Sequence, residues 1–230
     1  MNNWNRTVIS VDRLEKEGKL DPDGTYQGRH IIHRNSPILG GVYLGESSRE
    51  AVVVDAKYGE LPKLHQLAKV KARSYACDPE TGDDFYFIDP ATGRETYHPS
   101  DAFIGTFAAV KETMPRQDLE AVKELLAKNN ATDDAKIALD SFLSAGMGVC
   151  RHDALACGAV LEMFQQEGHL QNWKISVDRN TNHRGGHAWT RAQNMTDDTI
   201  YILDVMQDFC GILRSANSAD KWAYERPEDF

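Results

Sequence analysis

The sequence predicts an α+β protein whose strands and helices are segregated along the chain. Three observations predict it. Short runs of β-branched and aromatic residues occupy the first hundred residues, amphipathic helical repeats follow, and a helix with two alternating segments behind it closes the chain. The composition shift near residue 110 divides the 230 residues into a β-rich region, 1–110, and a second region, 111–230. A chain of this length buries a sizeable core without staples.

In the first region, "GRHIIHR", "GGVYLGE" and "EAVVVDA" read as strands bounded by Gly, Asn, Ser and Pro. The near-copies "DPETGDD" and "DPATGRE" flank "FYFI". Pro presets φ at one turn position and Gly accepts positive φ at another, so a small hairpin or meander is expected across 75–98. In the second region, "RQDLEAVKELLAKNN" sets Leu119, Val122, Leu125 and Leu126 at helical spacing, with Asp118 and Glu120 near the favourable N-terminal end. "TDDAKIALDSFLSAG" repeats the pattern with Ile137, Leu139, Phe142 and Leu143, and Gly146 is a natural stop.

Composition narrows the function classes. A net charge of −9 opposes the field that nucleic acid or an anionic membrane requires, so neither is an expected partner. Four cysteines without a C-x-x-C pair suggest neither a disulfide framework nor a zinc ribbon. The opening "MNNWNRTVISVDRLEKEGK" has no apolar stretch behind a basic one. The expected location is therefore cytoplasmic, or outside the cell by a route without a classical signal peptide. Oligomeric state leaves no mark in the sequence.

The third helix begins in "GMGVCRHDALACGAVLE". Ala154, Cys157, Leu161 and Phe164 recur at steps of three and four, which reads Cys157 as a packing residue on a buried stripe. Cys150 precedes that stripe by one turn, among the unpaired N–H groups at the helix's positive end, where a thiolate is favoured. Gly146 and Gly148 permit the sharp approach to it. Most cysteines ahead of a helix only pack; a nucleophile needs a base, and the base an orienting group.

Both are available downstream. "GGHAWTRA" alternates His187, Trp189 and Arg191 against Ala188, Thr190 and Ala192, and "TIYILDV" follows the polar turn "QNMTDD". A hairpin centred between Met195 and Thr196 sets His187 directly opposite Asp204, close enough for an imidazole–carboxylate hydrogen bond. Asp204 inside an apolar strand needs such a partner. His152 stands near the site, either exposed or supporting it, and Trp189 is a candidate cleft wall or a core residue. Zinc is the rival chemistry, through Cys150, His152, His183 and His187, but the His183–His187 spacing has meaning only on a helix and Gly185-Gly186 breaks one. No metal or cofactor is expected.

"GVCRHDALACGAVLE", "GHAW" and "YILDV" together resemble the transglutaminase-like cysteine hydrolase superfamily, over roughly residues 115–210. The resemblance implies a papain-like core, with the nucleophile's helix packed on an antiparallel sheet and catalysis over 111–230. Cys150 is then the nucleophile, His187 the general base and acid, and Asp204 the group that orients it. "CRH" is closer to the microbial, bacterial branch than to the animal cross-linking enzymes, which carry Cys-Trp. Those enzymes also use an upstream tryptophan in the oxyanion hole; here only Trp4 precedes Cys150, and the second donor is unassigned. The implied activity is hydrolysis of an amide in a protein or peptide substrate. The alternatives are glutamine deamidation or transglutamination and, from another class, a binding module or zinc protein that keeps the fold.

Overall fold

A computed structural model describes residues 6–45, 50–57, 59–75, 87, 88, 93, 95–131, 135–183, 185–218 and 221–229. In chain order these form α1 (Arg6–Lys16), β1 (Val42–Leu44), β2 (Ala51–Val53), α2 (Glu60–Tyr75), β3 (Phe87–Ile88), β4 (Glu95–Thr96) and α3 (Pro99–Thr113). Next come α4 (Leu119–Lys128), β5 (Lys136–Ala138), α5 (Leu139–Ala145) and α6 (Cys150–Gln166). The chain closes with β6 (Trp173–Asn182), β7 (Gly185–Asn194), β8 (Ile200–Asp204), β9 (Phe209–Ile212) and α7 (Leu213–Ser218). The class is mixed α+β, with an antiparallel sheet in the order β6-β7-β8-β9 and a smaller sheet of mixed direction in the order β1-β2-β5.

The expected β-rich region 1–110 is corrected by its helices. Its described strands are two or three residues long, whereas α2 alone has 16 residues. Val42–Leu44 and Ala51–Val53 are strands as read, but "GRHIIHR" supplies only isolated bridges, from Arg29 to Tyr26 and from Ile31 to Val42. The expected 75–98 hairpin is represented by Phe87 paired with Thr96 and Ile88 with Glu95. Its "DPETGDD" turn, most of "DPATGRE", Cys77 and Trp4 lie outside the described residues.

A boundary at 110 also falls inside α3, and one core runs from Ile32 to Val205 without regard to it. Polar contacts cross it as well. β2 pairs parallel with β5. Asp140 on α5 accepts from the Glu60 and Leu61 N–H groups that open α2, satisfying donors that a helix start leaves free. Glu162 on α6 likewise accepts from Ile38 and Leu39. α2 and α3 lie so close that a Cβ on Gly105 would stand 2.6 Å from the Ala72 nitrogen.

α4 begins at Asp118, whose carboxylate accepts from the Glu120 and Ala121 N–H groups. "TDDAKIALDSFLSAG" divides into β5 and α5, and Gly146 ends α5 in the left-handed region at φ 63°. α6 is buried along nearly its whole length, beyond the single stripe its spacing marks. Ala154, Ala156, Gly158 and Ala159 are small enough to admit neighbours on every side. One of those neighbours is the inner face of β7, where Ala188 and Ala192 join the main core and Thr190 Oγ1 donates to the Ala154 carbonyl at 2.8 Å.

The β7–β8 register differs from the centred hairpin. Thr190 pairs with Leu203 and Gln193 with Ile200, a slip of two residues from the arrangement that would oppose His187 to Asp204. A slip of two keeps every side chain on its own face. The outer face of this sheet carries a second cluster of Trp189, Ile202, Leu213, Ala216, Trp222 and Tyr224, so the end of the chain covers it.

Candidate active site

The start of α6 is held from behind before its cysteine is presented. Met147 bridges to Arg116, and the bonds from Arg116 N–H to the Gly146 carbonyl and from Gly148 N–H to the Arg116 carbonyl fix the approach. Val149 is the extended N-cap and Cys150 the first helical residue. His152 turns inward: its Nδ1 accepts from Val149 N–H at 3.1 Å and its Nε2 lies 3.1 Å from Glu50 Oε1. Accepting at Nδ1 fixes the proton on Nε2, which donates to Glu50. The ring is fully buried and stacked on Phe142 at 3.8 Å. His152 therefore braces the helix start and faces no cleft.

Glu50 also takes the Arg151 guanidinium. Burial pushes the Glu50 carboxyl up, but His152 and Arg151 outweigh it and hold the group down at about 2. Burial and Arg151 push His152 down to about 4, so the imidazole is neutral near pH 7.

Cys150 is partly buried, and His187 on β7 is buried beside it. His187 Nε2 stands 2.5 Å from Asp204 Oδ2 at the end of β8, which leaves Nδ1 as the nitrogen open to Cys150; imidazole and thiol lie close enough to shift each other's titration. Burial alone would raise the Cys150 thiol, but His187 and the Arg151 charge lower it on balance. Burial alone would lower His187, but Asp204 and Cys150 raise it to about 10. Both shifts favour a thiolate–imidazolium pair at neutral pH.

Asp204 has two further donors. Gln207 N–H reaches Oδ1 at 3.1 Å and the Tyr224 hydroxyl reaches Oδ2 at 2.8 Å. Trp222 lies over the imidazole, with ring centroids 4.8 Å apart. Asp153, one turn behind Cys150, is buried; burial pushes its carboxyl well up, and Gln117 Nε2 donates to its Oδ1 at 3.1 Å. Tyr43, hydrogen-bonded to Arg179, stands within electrostatic reach of the sulfur.

The structure thus brings Cys150, His187 and Asp204 together, and places Trp189 fully buried on the outer sheet face, against Tyr224 at 5.2 Å. It does not gather the rival zinc set: both His152 nitrogens are engaged inside the protein, and His183 is exposed at the β6–β7 turn. Among the described residues, no group of three or more His, Cys, Asp or Glu stands in a metal-holding arrangement, and no helix is long and apolar enough to cross a membrane. Sequence reasoning did not find Glu50, Gln117, Trp222 or Tyr224. Of these, only Trp222 and Tyr224 carry a local signal, the period-two placing of large side chains in "KWAYER".

Comparison with protein-family models, with curated proteins and with solved structures gives no match, so the functional reading rests on the geometry of these residues.

Proposed function

We propose that this protein performs thiol-dependent acyl chemistry on an amide of a protein or peptide, with hydrolysis as the outcome. The observation that carries the proposal is the placing of His187, held to Asp204, next to a cysteine at the first position of a helix. The packing of α6 against the antiparallel β6–β9 sheet supports a papain-like or transglutaminase-like core for that chain.

The chemistry follows from the charges. The Cys150 thiolate attacks the amide carbon, and the backbone N–H of Cys150 donates to the developing oxyanion; one such donor is worth roughly 10²–10³-fold in rate. His187, already protonated, gives its proton to the leaving amine. Asp204 holds the ring with Nε2–H inward, so that Nδ1 alone faces the sulfur, and it stabilises the imidazolium. The thioester is then cleaved by water, from which His187 takes a proton. An amine in place of water would make the same site a transferase.

The test is incubation with a pool of peptides and a primary amine, following cleavage, ammonia release and amine incorporation together. Hydrolysis predicts new amino termini that depend on Cys150 and disappear in Cys150→Ala. Ammonia without cleavage would replace the reading with deamidation, amine gain with transglutamination. No Cys150-dependent product would leave a non-catalytic module.

A further inference from the structure

We infer that residues 221–224, the first part of the C-terminal segment, are a working part of this site and that Tyr224 is a positioning residue, fixing the Asp204 carboxylate toward His187. The inference rests on the reading of Cys150 and His187 as the reacting pair.

The segment is extended where it passes the sheet, so alternate residues turn inward: Trp222, Tyr224 and Arg226 are buried, while Lys221, Ala223 and Glu225 are partly exposed. Each inward residue has its own polar partner. Trp222 Nε1 donates to Asn180 Oδ1, and Asn180 Nδ2 donates back to the Ala223 carbonyl at 2.6 Å. Arg226 spans Asp178 and Ser176, at 2.7 Å from Asp178 Oδ2 and 2.9 Å from Ser176 Oγ. Asp229 clamps Arg191 through both oxygens, at 2.8 and 2.6 Å. The strap therefore runs along the outer face of β6 from Asn180 to Ser176; Trp222 lies over the His187 ring and Tyr224 reaches the Asp204 carboxylate.

Tyr224 donates to the same Asp204 oxygen that takes His187. The other oxygen takes Gln207 N–H, and Lys221 of the strap in turn donates to the Gln207 carbonyl at 3.1 Å. Both carboxylate oxygens are thus fixed by groups the strap supplies or supports. Without the phenol, Asp204 is free to turn toward Gln207, and the imidazolium loses its closest counter-charge. The titratable and charged groups that face Cys150, His187 and Asp204 are Tyr43 from β1, Arg151, Asp153 and Cys157 from α6, and Tyr224 from the strap.

The experiment is the pH dependence of Cys150 alkylation by iodoacetamide in the full chain, with adducts mapped by mass and melting temperature recorded. Tyr224→Phe keeps the ring against Trp189 and Phe209 and removes only the donor. The alkaline limb of the rate profile, where His187 gives up its proton, should move down by about one pH unit, the scale of one hydrogen bond to a charged group. Trp222→Phe, which loosens the strap at Asn180, should move it the same way by less. Asp229→Asn, remote from the triad, should lower the melting temperature and leave the limb in place. A Tyr224→Phe limb that coincides with wild type, or an Asp229→Asn shift as large as that of Tyr224→Phe, overturns the inference. A wild-type Cys150 with no enhanced reactivity overturns the functional reading beneath it, which is a separable result.

Discussion

His187 meets Asp204 diagonally across the β7–β8 ladder: Nε2 and Oδ2 are 2.5 Å apart, although Thr190 pairs with Leu203 and the same register continued would set Trp189 beside Asp204. A diagonal neighbour on one face lies within reach of a long side chain. The offset also places Trp189 beneath the dyad, where it packs against Tyr224 and contributes a dry floor. The geometry leads to expectations for mutation, pH and stability.

Asp204→Asn keeps the shape of the site but removes the charge opposite the imidazolium. Turnover should fall by roughly 10²–10⁴-fold, less than for Cys150→Ala, because an orienting carboxylate is worth less than the nucleophile it serves. Steady-state rates on a substrate found in the peptide pool, with matched melting curves, check this.

Glu50 carries a pH dependence of stability. Its carboxyl is held at about 2, below the unfolded value of 4.5, by His152 and Arg151 against burial. A depressed folded value means that the native state binds the proton less tightly, so the stabilisation is fully present above the unfolded value and is lost as pH falls toward about 2. Its size is about 3 kcal/mol, from 1.36 kcal/mol for each unit. Urea unfolding between about pH 6 and pH 2.5 should show this loss in wild type and a shallower one in Glu50→Gln.

Trp189→Ala should destabilise by about 3–5 kcal/mol, the range for emptying a buried aromatic site. Trp189→Phe should cost less, because the ring is retained. A Trp189→Ala protein within about 1 kcal/mol of wild type would show that the outer cluster does not hold the sheet.

His152→Ala removes the acceptor for Val149 N–H and one donor to Glu50, leaving two buried groups short of a partner. The expected cost is about 1–3 kcal/mol for each such group. The reactivity of Cys150 should survive in the folded fraction, since His152 does not touch the sulfur; adduct mapping against the melting curve separates the two effects.

Much of this site is legible in the sequence because its signals are local. A cysteine ahead of an apolar stripe, an alternating strand with His187, and a carboxylate within "YILDV" each follow from a few neighbouring residues. The hairpin register is less legible: the turn centre fixes it only to within a residue or two, and the pair came together because a two-residue slip preserves the face. Glu50 has no local signal and Tyr224 only the period-two placing in "KWAYER", since they reach the site through tertiary contacts to the Arg151–His152 pair and to Asp204. In the first region, short β-branched runs suggested strands and concealed helices. The spacing of Leu61, Leu64, Ala68 and Ala72 on α2 was present in the chain, but the Lys and Arg residues between them dilute it.

Alkylation of Cys150 near pH 6.5, where an ordinary thiol is almost wholly protonated, bears most directly on the thiolate–imidazolium pair. Cys210, pushed up to about 12 by burial, is the internal reference. Cys150 should react at least about tenfold faster than Cys210, and His187→Ala should remove most of that advantage. Equal rates at the two cysteines, or a Cys150 rate that His187→Ala leaves unchanged, would contradict an activated nucleophile.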